Sequence, residues 1–330
     1  MTGPLISAVL PVYNGAADVE KAIASILAQT FTDFELIVIN DGSKDNSASV
    51  LEALEDPRIR LFHQDNMGLA GTLNRGISLA RGRYIARQDQ DDLSHPERFA
   101  RQVAFLEAHP DHGLLGTAAQ IWVGDTPTDR AHDHPADHGA LSFELLFNNP
   151  FVHSSIMMRK ATVEAAGGYT TDPARQPPED YELWSRMVRH AKVANLADRL
   201  LVYREVPASM SRTGPNPFMD RLVLICAENL AAVLQEAQPS REMLDVAALT
   251  HSAFHRLSPR PDIDRMCEVV RLAGQKLASQ SPQSDVLRRT DTKIQNLRHQ
   301  HLIRKHNMHW ARPIARAVRD FGRRIGILPR

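Results

Sequence analysis

The first 110 residues alternate between short apolar runs and stretches whose apolar positions recur at helical spacing. Residues 5–12 form a compact apolar run closed by Pro11 and by Asn14-Gly15, the pattern of a strand followed by a turn. Between 16 and 29, Val19, Ile23, Ile26 and Leu27 fall on one face of a helix. Residues 34–39 read as a second strand, stopped by Asn40-Asp41-Gly42-Ser43, with a helix from about 46 to 54. A third strand at 59–62 is followed by Asn66-Met67-Gly68 and a helix ending near Arg81-Gly82. Residues 83–88 read as a fourth strand, and Pro96 opens a helix at 96–108, since a proline at the first helical position forfeits no hydrogen bond. Strands that alternate with helices predict βαβ units and a mostly parallel, doubly wound α/β sheet with helices on both faces. The strands are continuous apolar runs, as strands covered on both faces must be.

After residue 110 the rhythm changes. Residues 114–123 and 151–158 look like strands, separated by a polar, histidine-rich stretch at 125–139. A helix is expected at 179–190 and a strand at 197–203. The segment 207–217, rich in Ser, Pro and Gly, is a candidate boundary, and 218–330 reads as helical without further strands. Two domains are therefore expected, 1–210 and a helical extension at 211–330.

Composition narrows the class. The chain has 330 residues, 43% hydrophobic and 24% charged, which is ordinary for a soluble globular protein. Lys+Arg and Asp+Glu balance at 39 each, so no global field points to nucleic acid. The two cysteines, Cys226 and Cys267, form neither a disulfide framework nor a thiolate zinc site, which fits a reducing cytoplasm. The amino terminus lacks a basic segment before its short apolar run, so no signal peptide is expected. No uncharged apolar stretch reaches the roughly 20 residues of a membrane span.

Three polar clusters sit at predicted strand ends: Pro11-Val12-Tyr13-Asn14, Asn40-Asp41-Gly42-Ser43 and Asp89-Gln90-Asp91-Asp92. In open α/β sheets ligands bind outside the carboxyl ends of the strands, so a central first strand would bring all three to one crevice. They could equally be ordinary polar loops. Only Gly15 follows the first strand, so the dinucleotide fingerprint G-x-G-x-x-G is missing, as is the phosphate loop G-x-x-x-x-G-K-[ST]. A phosphate ligand would then need another counter-charge, and a divalent cation on one or two carboxylates supplies it. If the backbone stays extended through 89–91, Asp89 and Asp91 share a face and Asp92 points elsewhere. Nothing in the sequence accounts for Gln88 and Gln90 between these acids.

The segments PVYNGAADVEKAIASILAQTF, ELIVINDGSKDNS, DNMGLAGTLNRGISLARGRYIARQDQDD and PPEDYELWSR occur in that order from about residue 4 to 205. Together they closely resemble the family 2 glycosyltransferases, metal-dependent inverting enzymes of GT-A fold. The resemblance implies a nucleotide-sugar half at about 1–110, an acceptor half at about 111–210, and transfer of a hexosyl or N-acetylhexosaminyl group in cell-surface polysaccharide or glycoconjugate synthesis. It implies a nucleotide-diphosphate sugar donor, most often a UDP-sugar, and a glycan or lipid-linked acceptor. On this likeness Pro11 and Tyr13 border the nucleoside and Asp41 hydrogen-bonds the base. Asp91 holds Mn²⁺ or Mg²⁺ on the diphosphate, Asp89 lies nearer the ribose, and Asp180 is the catalytic base. Asn66, Gly68, Asn74 and Arg87 match recurrent positions. Asn40 stands where an acid is more usual, and Gln88 and Gln90 stand where small or apolar residues are common.

Several assignments stay open at this level. Glu179 and Asp180 are also acids of the kind favoured at any helix N-terminus. His153, inside the predicted strand 151–158, is either structural or close to the acceptor. Asp92 is either an outer support for the cation or the start of the turn toward Pro96. His132, Asp133, His134, Asp137 and His138 read as a solvated loop, a metal cluster or an acceptor contact. Residues 301–330 hold eight Lys/Arg and one acid, with Ile314, Val318, Phe321 and Ile325 at helical spacing. Such a helix packs on the protein's own body or lies on an anionic membrane surface, which would make the protein peripheral at the inner face. Helices at 218–275 could also form a homodimer interface. A metal-dependent nucleotidyltransferase would show a basic, glycine-rich stretch after the first strand, and a catalytically retired sugar-nucleotide-binding module would show decay at Asp91 or Asp180. A D-x-D phosphatase would want Thr or Val at the place Leu93 occupies.

Overall fold

The structure, a computed structural model, describes residues 3–206 and 218–305. Four parallel strands open it: β1 (Ile6–Val12), β2 (Phe34–Asp41), β3 (Ile59–Gln64) and β4 (Tyr84–Arg87). They are joined by α1 (Val19–Leu27), α2 (Ser47–Glu52) and α3 (Gly68–Leu79) and lie in the order β3-β2-β1-β4. Next come β5 (Leu93–Ser94), α4 (Arg98–Ala108), β6 (His112–Val123), β7 (Thr126–His132) and α5 (His138–Glu144). A 3₁₀ turn at His153–Ser155 leads to β8 (Met157–Arg159), α6 (Lys160–Ala165), α7 (Glu179–Met187) and β9 (Lys192–Glu205). The nine strands of the described residues join one sheet, order β3-β2-β1-β4-β8-β6-β9-β5, with β7 paired to β6. β8 runs antiparallel to both β4 and β6, whereas β6 and β9 are parallel. The sheet is thus mixed and mostly parallel, as the α/β pattern predicts.

Every residue of β1 and β2 is buried, as their mostly apolar content requires under helices on both faces. Ile6, Leu10, Leu36, Val38, Ile23, Ile26 and Phe99 share one core. The register pairs Val12 with Asn40 and Val9 with Arg87, so the polar ends of β1, β2 and β4 emerge at the same edge. Gly82 is demanded by close approach, because a Cβ there would lie 2.6 Å from the Ser7 amide nitrogen.

The chain divides into two compact units, Met1–Arg221 and Leu222–Arg330, with the boundary inside α8 (Phe218–Leu234). α9 (Arg241–Thr250), α10 (Ile263–Gln280) and α11 (Val286–Lys305) complete the described part of the second unit. There Gly274 of α10 faces Thr290 of α11 so closely that a Cβ would lie 2.0 Å from the threonine hydroxyl. Among the described residues no helix is long and apolar enough to cross a membrane. The amphipathic pattern read at 301–330 falls almost wholly outside the described residues, as does the boundary loop at 207–217.

Four expectations change. β4 runs from Tyr84 to Arg87, one residue shorter at each end than 83–88, although the Gln88 amide still bonds the Val9 carbonyl at 3.1 Å. The predicted strand 151–158 is a 3₁₀ turn followed by the short β8, so His153 opens a turn rather than lying in a strand. β9 extends to both sides of 197–203; its exposed Asp198 and Arg199 interrupt an otherwise strand-like run. The stretch 125–139 holds a strand and a helix start that the sequence did not predict, with 133–137 between them a loop whose Asp133 and Asp137 are exposed. These are β7 and the start of α5, whose first turn is capped by the Asp137 side chain accepting from the Ala140 amide at 3.0 Å.

A buried polar knot fixes the far edge of the parallel strands. Glu35 accepts from Ser7 Oγ at 2.6 Å, from the Arg81 amide at 2.8 Å and from Arg60 Nη1 at 2.6 Å. Burial alone would raise its pKa, but the bonds from Ser7, Arg81 and Arg60 outweigh it and hold the carboxyl below the usual glutamate range. Glu35→Ala should lower unfolding stability by about 1–3 kcal/mol, since it orphans the buried Ser7 hydroxyl. Because the folded-state pKa is depressed, this contribution is present at neutral pH and disappears as pH falls through that lowered value. Urea titrations of both proteins at pH 7 and in acid measure it; an unchanged difference across that range would contradict the linkage.

Candidate active site

The site is built on the loop that leaves β4. Gln88, fully buried, donates from Nε2 to the Asp92 carbonyl at 2.7 Å and to the Asp89 carbonyl at 3.2 Å, and its Oε1 accepts from Ser94 Oγ at 2.7 Å. Gln90 bonds the backbone of Tyr13 twice, accepting from its amide at 2.9 Å and donating to its carbonyl at 3.2 Å. The two glutamines therefore pin a tight loop at both ends while adding no charge to it. The backbone is not extended here, and the expected split of Asp89 and Asp91 from Asp92 does not hold. All three carboxylates bring an oxygen within 4.8 Å of one another.

The three acids nonetheless differ. Asp92 is buried and already engaged, Oδ1 accepting from the Arg204 amide at 2.8 Å and Oδ2 from Ser154 Oγ. Burial, then the charges of Asp89 and Asp91, push its pKa well up. Asp89 forms an ion pair with Arg87 Nη1. Asp91 is pushed up to about 6 by burial and then by Asp89. Its carboxylate accepts from its own amide and otherwise faces the open cavity. These residues fit a hard divalent cation: Asp91 has oxygens to give, Asp89 stands beside it, and crowded acids are relieved by a positive ion. Asp92, bonded at both oxygens, supports the loop instead.

Arg204, only 3% exposed, holds this arrangement from β9. Its guanidinium donates to the Asp91 carbonyl at 3.1 Å, Asp18 at 2.8 Å, Asp125 at 2.8 Å and the Gly124 carbonyl at 3.0 Å. It is absent from the sequence-predicted site. The available signal was a lone cation in the apolar run 200–206.

At the other end of the cavity, Asp41 is the last residue of β2, and its Oδ1 accepts from Gln64 Nε2 at 2.6 Å and the Met67 amide at 2.8 Å. Asn66 Nδ2 donates to the Asp41 carbonyl at 3.0 Å. Asn40 turns away, meeting His63 Nδ1 at 3.2 Å and accepting from the Ser43 amide at 3.1 Å, so an acid is not needed there. Asn74 does not join the site; it bonds the Tyr169 backbone at 2.8 and 2.9 Å.

Glu179 and Asp180 open α7. Asp180 accepts from Asn149 Nδ2 at 2.7 Å and the Tyr181 amide at 2.7 Å; burial raises its pKa, against the pull of that amide, Arg87 and Asn149. Glu179 is pushed up to about 7 by burial and then by Asp180. His153 bonds Tyr169 Oη through Nε2 at 2.8 Å and lies 4.0 Å from Glu179 through Nδ1, and burial drives its pKa well down. Arg87 is fully buried, its Nη1 paired with Asp89 and its Nε without an acceptor. Burial opposes its charge, but Asp89, with Tyr169 and Asp92, more than restores it.

Apart from Asn74, the sequence-predicted site residues border one cavity of about 860 Å³, from Pro11, Tyr13 and Asp41 through Asp89 and Asp91 to Asp180. Asn66, Arg87, Asp92, His153 and Glu179 line it too. So do His132 and His134, while Asp133 pairs with Arg199 at 2.7 Å and His138 accepts from the Val193 amide at 3.3 Å. The histidines do not make a metal cluster; among the described residues only Asp89, Asp91 and Asp92 converge as one.

Comparison with known proteins agrees with this geometry. Residues 7–166 match the model of Glycosyl transferase family 2. The chain is 32% identical over 231 residues to EpsE of Bacillus subtilis (strain 168), provisionally named a glycosyltransferase, covering 68% of this chain and 81% of that one. It is 30% identical over 206 residues to the amylovoran biosynthesis glycosyltransferase AmsE of Erwinia amylovora, covering 61% and 76%. It spans only 32% of an uncharacterized Rickettsia felis glycosyltransferase to which it is 43% identical over 195 residues, 58% of this chain. In fold it is similar to S. aureus TarS 1-349 solved with UDP-GlcNAc, at TM-score 0.61 and 16% identity over 92% of each chain. The mannosyltransferase PcManGT of Pyrobaculum calidifontis, solved with GDP-Man and Mn²⁺, matches at TM-score 0.51 and 17% identity over 91% of this chain and 87% of that one. The chain belongs to glycosyltransferase family 2 and is a glycosyltransferase.

Proposed function

We propose that the protein transfers a sugar from a UDP-sugar to an acceptor hydroxyl with inversion at the anomeric carbon, in polysaccharide or glycoconjugate synthesis. The observation that carries this is that Asp91 and Asp180 border one cavity whose far end is closed by Asp41. The donor would lie with its base at Asp41, its nucleoside along Pro11 and Tyr13, and its diphosphate toward Asp91. A Mn²⁺ or Mg²⁺ ion held by Asp91, with Asp89 beside it, supplies Lewis-acid stabilisation of the departing diphosphate when bound. Asp180 takes the proton of the attacking hydroxyl, and Asn149 and the Tyr181 amide hold its carboxylate in place. The family likeness supplies the direct displacement with inversion, and Asp180 is the carboxylate it matches to the base. TarS solved with UDP-GlcNAc and AmsE named for amylovoran biosynthesis support the UDP-sugar and polysaccharide readings, and PcManGT with Mn²⁺ supports the cation.

With a panel of nucleotide sugars and Mn²⁺, release of a nucleoside diphosphate should appear for one donor, and Asp180→Asn should reduce kcat by about 10²–10⁴-fold. Because burial raises the Asp180 pKa, the active carboxylate is lost earlier on acidification than an ordinary aspartate would be, so kcat should fall as pH drops through that raised value. No turnover with any donor, or turnover indifferent to Asp180→Asn, would sink the reading. Separately, Arg204→Ala should unfasten the metal-binding loop and weaken UDP binding in the presence of Mn²⁺ at least tenfold by calorimetry, about 1.4 kcal/mol. Retained affinity would show that Arg204 serves stability alone.

A further inference from the structure

One wall of the cavity has no part in the chemistry above. It consists of His132 at the end of β7, His134 just beyond it, and Tyr203 on β9. The two imidazoles stack with centroids 5.9 Å apart and 12° between their planes. Tyr203 stands edge-on to His132, 5.2 Å away at 84°. The register explains how this layer is supported: His132 lies opposite Ala119 of β6, and Tyr203 packs against Ala119, Val152 and Leu201.

Its chemistry is specific. Burial holds both imidazoles below the usual histidine range, and His132 lowers His134 further, so the pair is neutral at physiological pH. Glu205 and Asp133 favour the charged form of His132 and Arg130 opposes it. Those charges are spent on ion pairs, Arg130 with Glu205 at 2.8 Å and Arg199 with Asp133 at 2.7 Å. The wall therefore offers flat aromatic faces with ring nitrogens and a phenol at their edges, and no net charge. A sugar ring presents the matching surface, polarised C–H bonds on one face and hydroxyls around the rim, and such hydrogens seat on the electron-rich face of an aromatic ring. A phosphate-rich acceptor would find no unpaired guanidinium among Arg130 and Arg199.

Its position is equally specific. Four strand steps separate β2, which carries Asp41, from β6, which carries the β7 hairpin, roughly 19 Å at about 4.8 Å per step. The wall thus lies beyond the diphosphate position as seen from the base. Tyr203 is also the chain neighbour of Arg204, whose amide bonds Asp92. We infer that His132, His134 and Tyr203 form the acceptor subsite, and that the acceptor is the sugar ring of a glycan stacked on this wall. This rests on the donor orientation proposed above.

Saturation-transfer NMR on the full chain with methyl β-glycosides of glucose, galactose, mannose and N-acetylglucosamine tests the wall directly, with glycerol 3-phosphate as the anionic polyol probe. At least one glycoside should receive saturation on the protons of one ring face, and glycerol 3-phosphate should receive none. Tyr203→Ala and His134→Ala should weaken that glycoside at least tenfold, while Tyr203→Phe, which keeps the ring, should stay within about threefold. Saturation of no glycoside, preferential saturation of glycerol 3-phosphate, or glycoside binding unaffected by both alanine variants would overturn the assignment. A parallel titration of the wild type with UDP and Mn²⁺ separates the two ideas. No UDP binding alongside face-selective glycoside binding removes the donor reading and keeps the carbohydrate wall; UDP binding with no effect of the substitutions does the reverse.

Discussion

A guanidinium without access to water organises this site. Arg87 ends β4 fully buried, its amide bonded to the Ile156 carbonyl at 2.9 Å and its own carbonyl accepting from Arg98 at 3.2 Å. A buried cation without partners would cost several kcal/mol. So would the carboxylates around it. Arg87 acts favourably on Asp91, Glu179 and Asp180, and Asp89 and Asp92 act favourably on Arg87. Each side makes the other tenable, but the acids outnumber the cation. The surplus negative charge is what makes Asp91, the acid with oxygens facing the cavity, a place for a positive ion. Arg98, also buried, is held below the usual arginine range, at about 9, by burial and by Arg87, while Asp92 favours its charged form.

The balance depends on a loop that cannot relax away from its own repulsion. Gln88 ties it internally, Gln90 ties it to the end of β1, and Arg204 ties it to β9. These are the residues that a comparison of motifs overlooks, because they touch backbone rather than ligand. Neutral amides are well suited to both glutamine positions, since an acid would deepen the repulsion and a base would compete for the space a cation takes.

How much could be read from the chain follows from the range of the forces involved. The donor half was legible because its strands are local apolar runs separated by helices, and parallel pairing brings their polar ends to one edge. Asp41, Asp91 and Tyr13 could be named from that alone, with family likeness supplying their expected roles. Asp180 needed the likeness, since an acid opening a helix is common for other reasons. Past residue 110 the pairing is non-local. β8 is three residues long and buried between strands distant in sequence, so nothing nearby announces it. His132 looks like a loop residue because its neighbours are polar, and only the β6–β7 register places it at the cavity, with His134 in the loop just beyond. Only the direction of Asp92 was misjudged, by assuming an extended backbone over 89–91; its supporting role was one of the readings left open.

The antiparallel insertion of β8 between β4 and β6 has a mechanical consequence. It stitches the strands that carry Asp41 and Arg87 and those that carry Tyr203 and Arg204 into one continuous hydrogen-bonded sheet. The two ends of the cavity are thus carried by one sheet rather than by two that face each other, and accommodation of a substrate falls first to the loops at the strand ends.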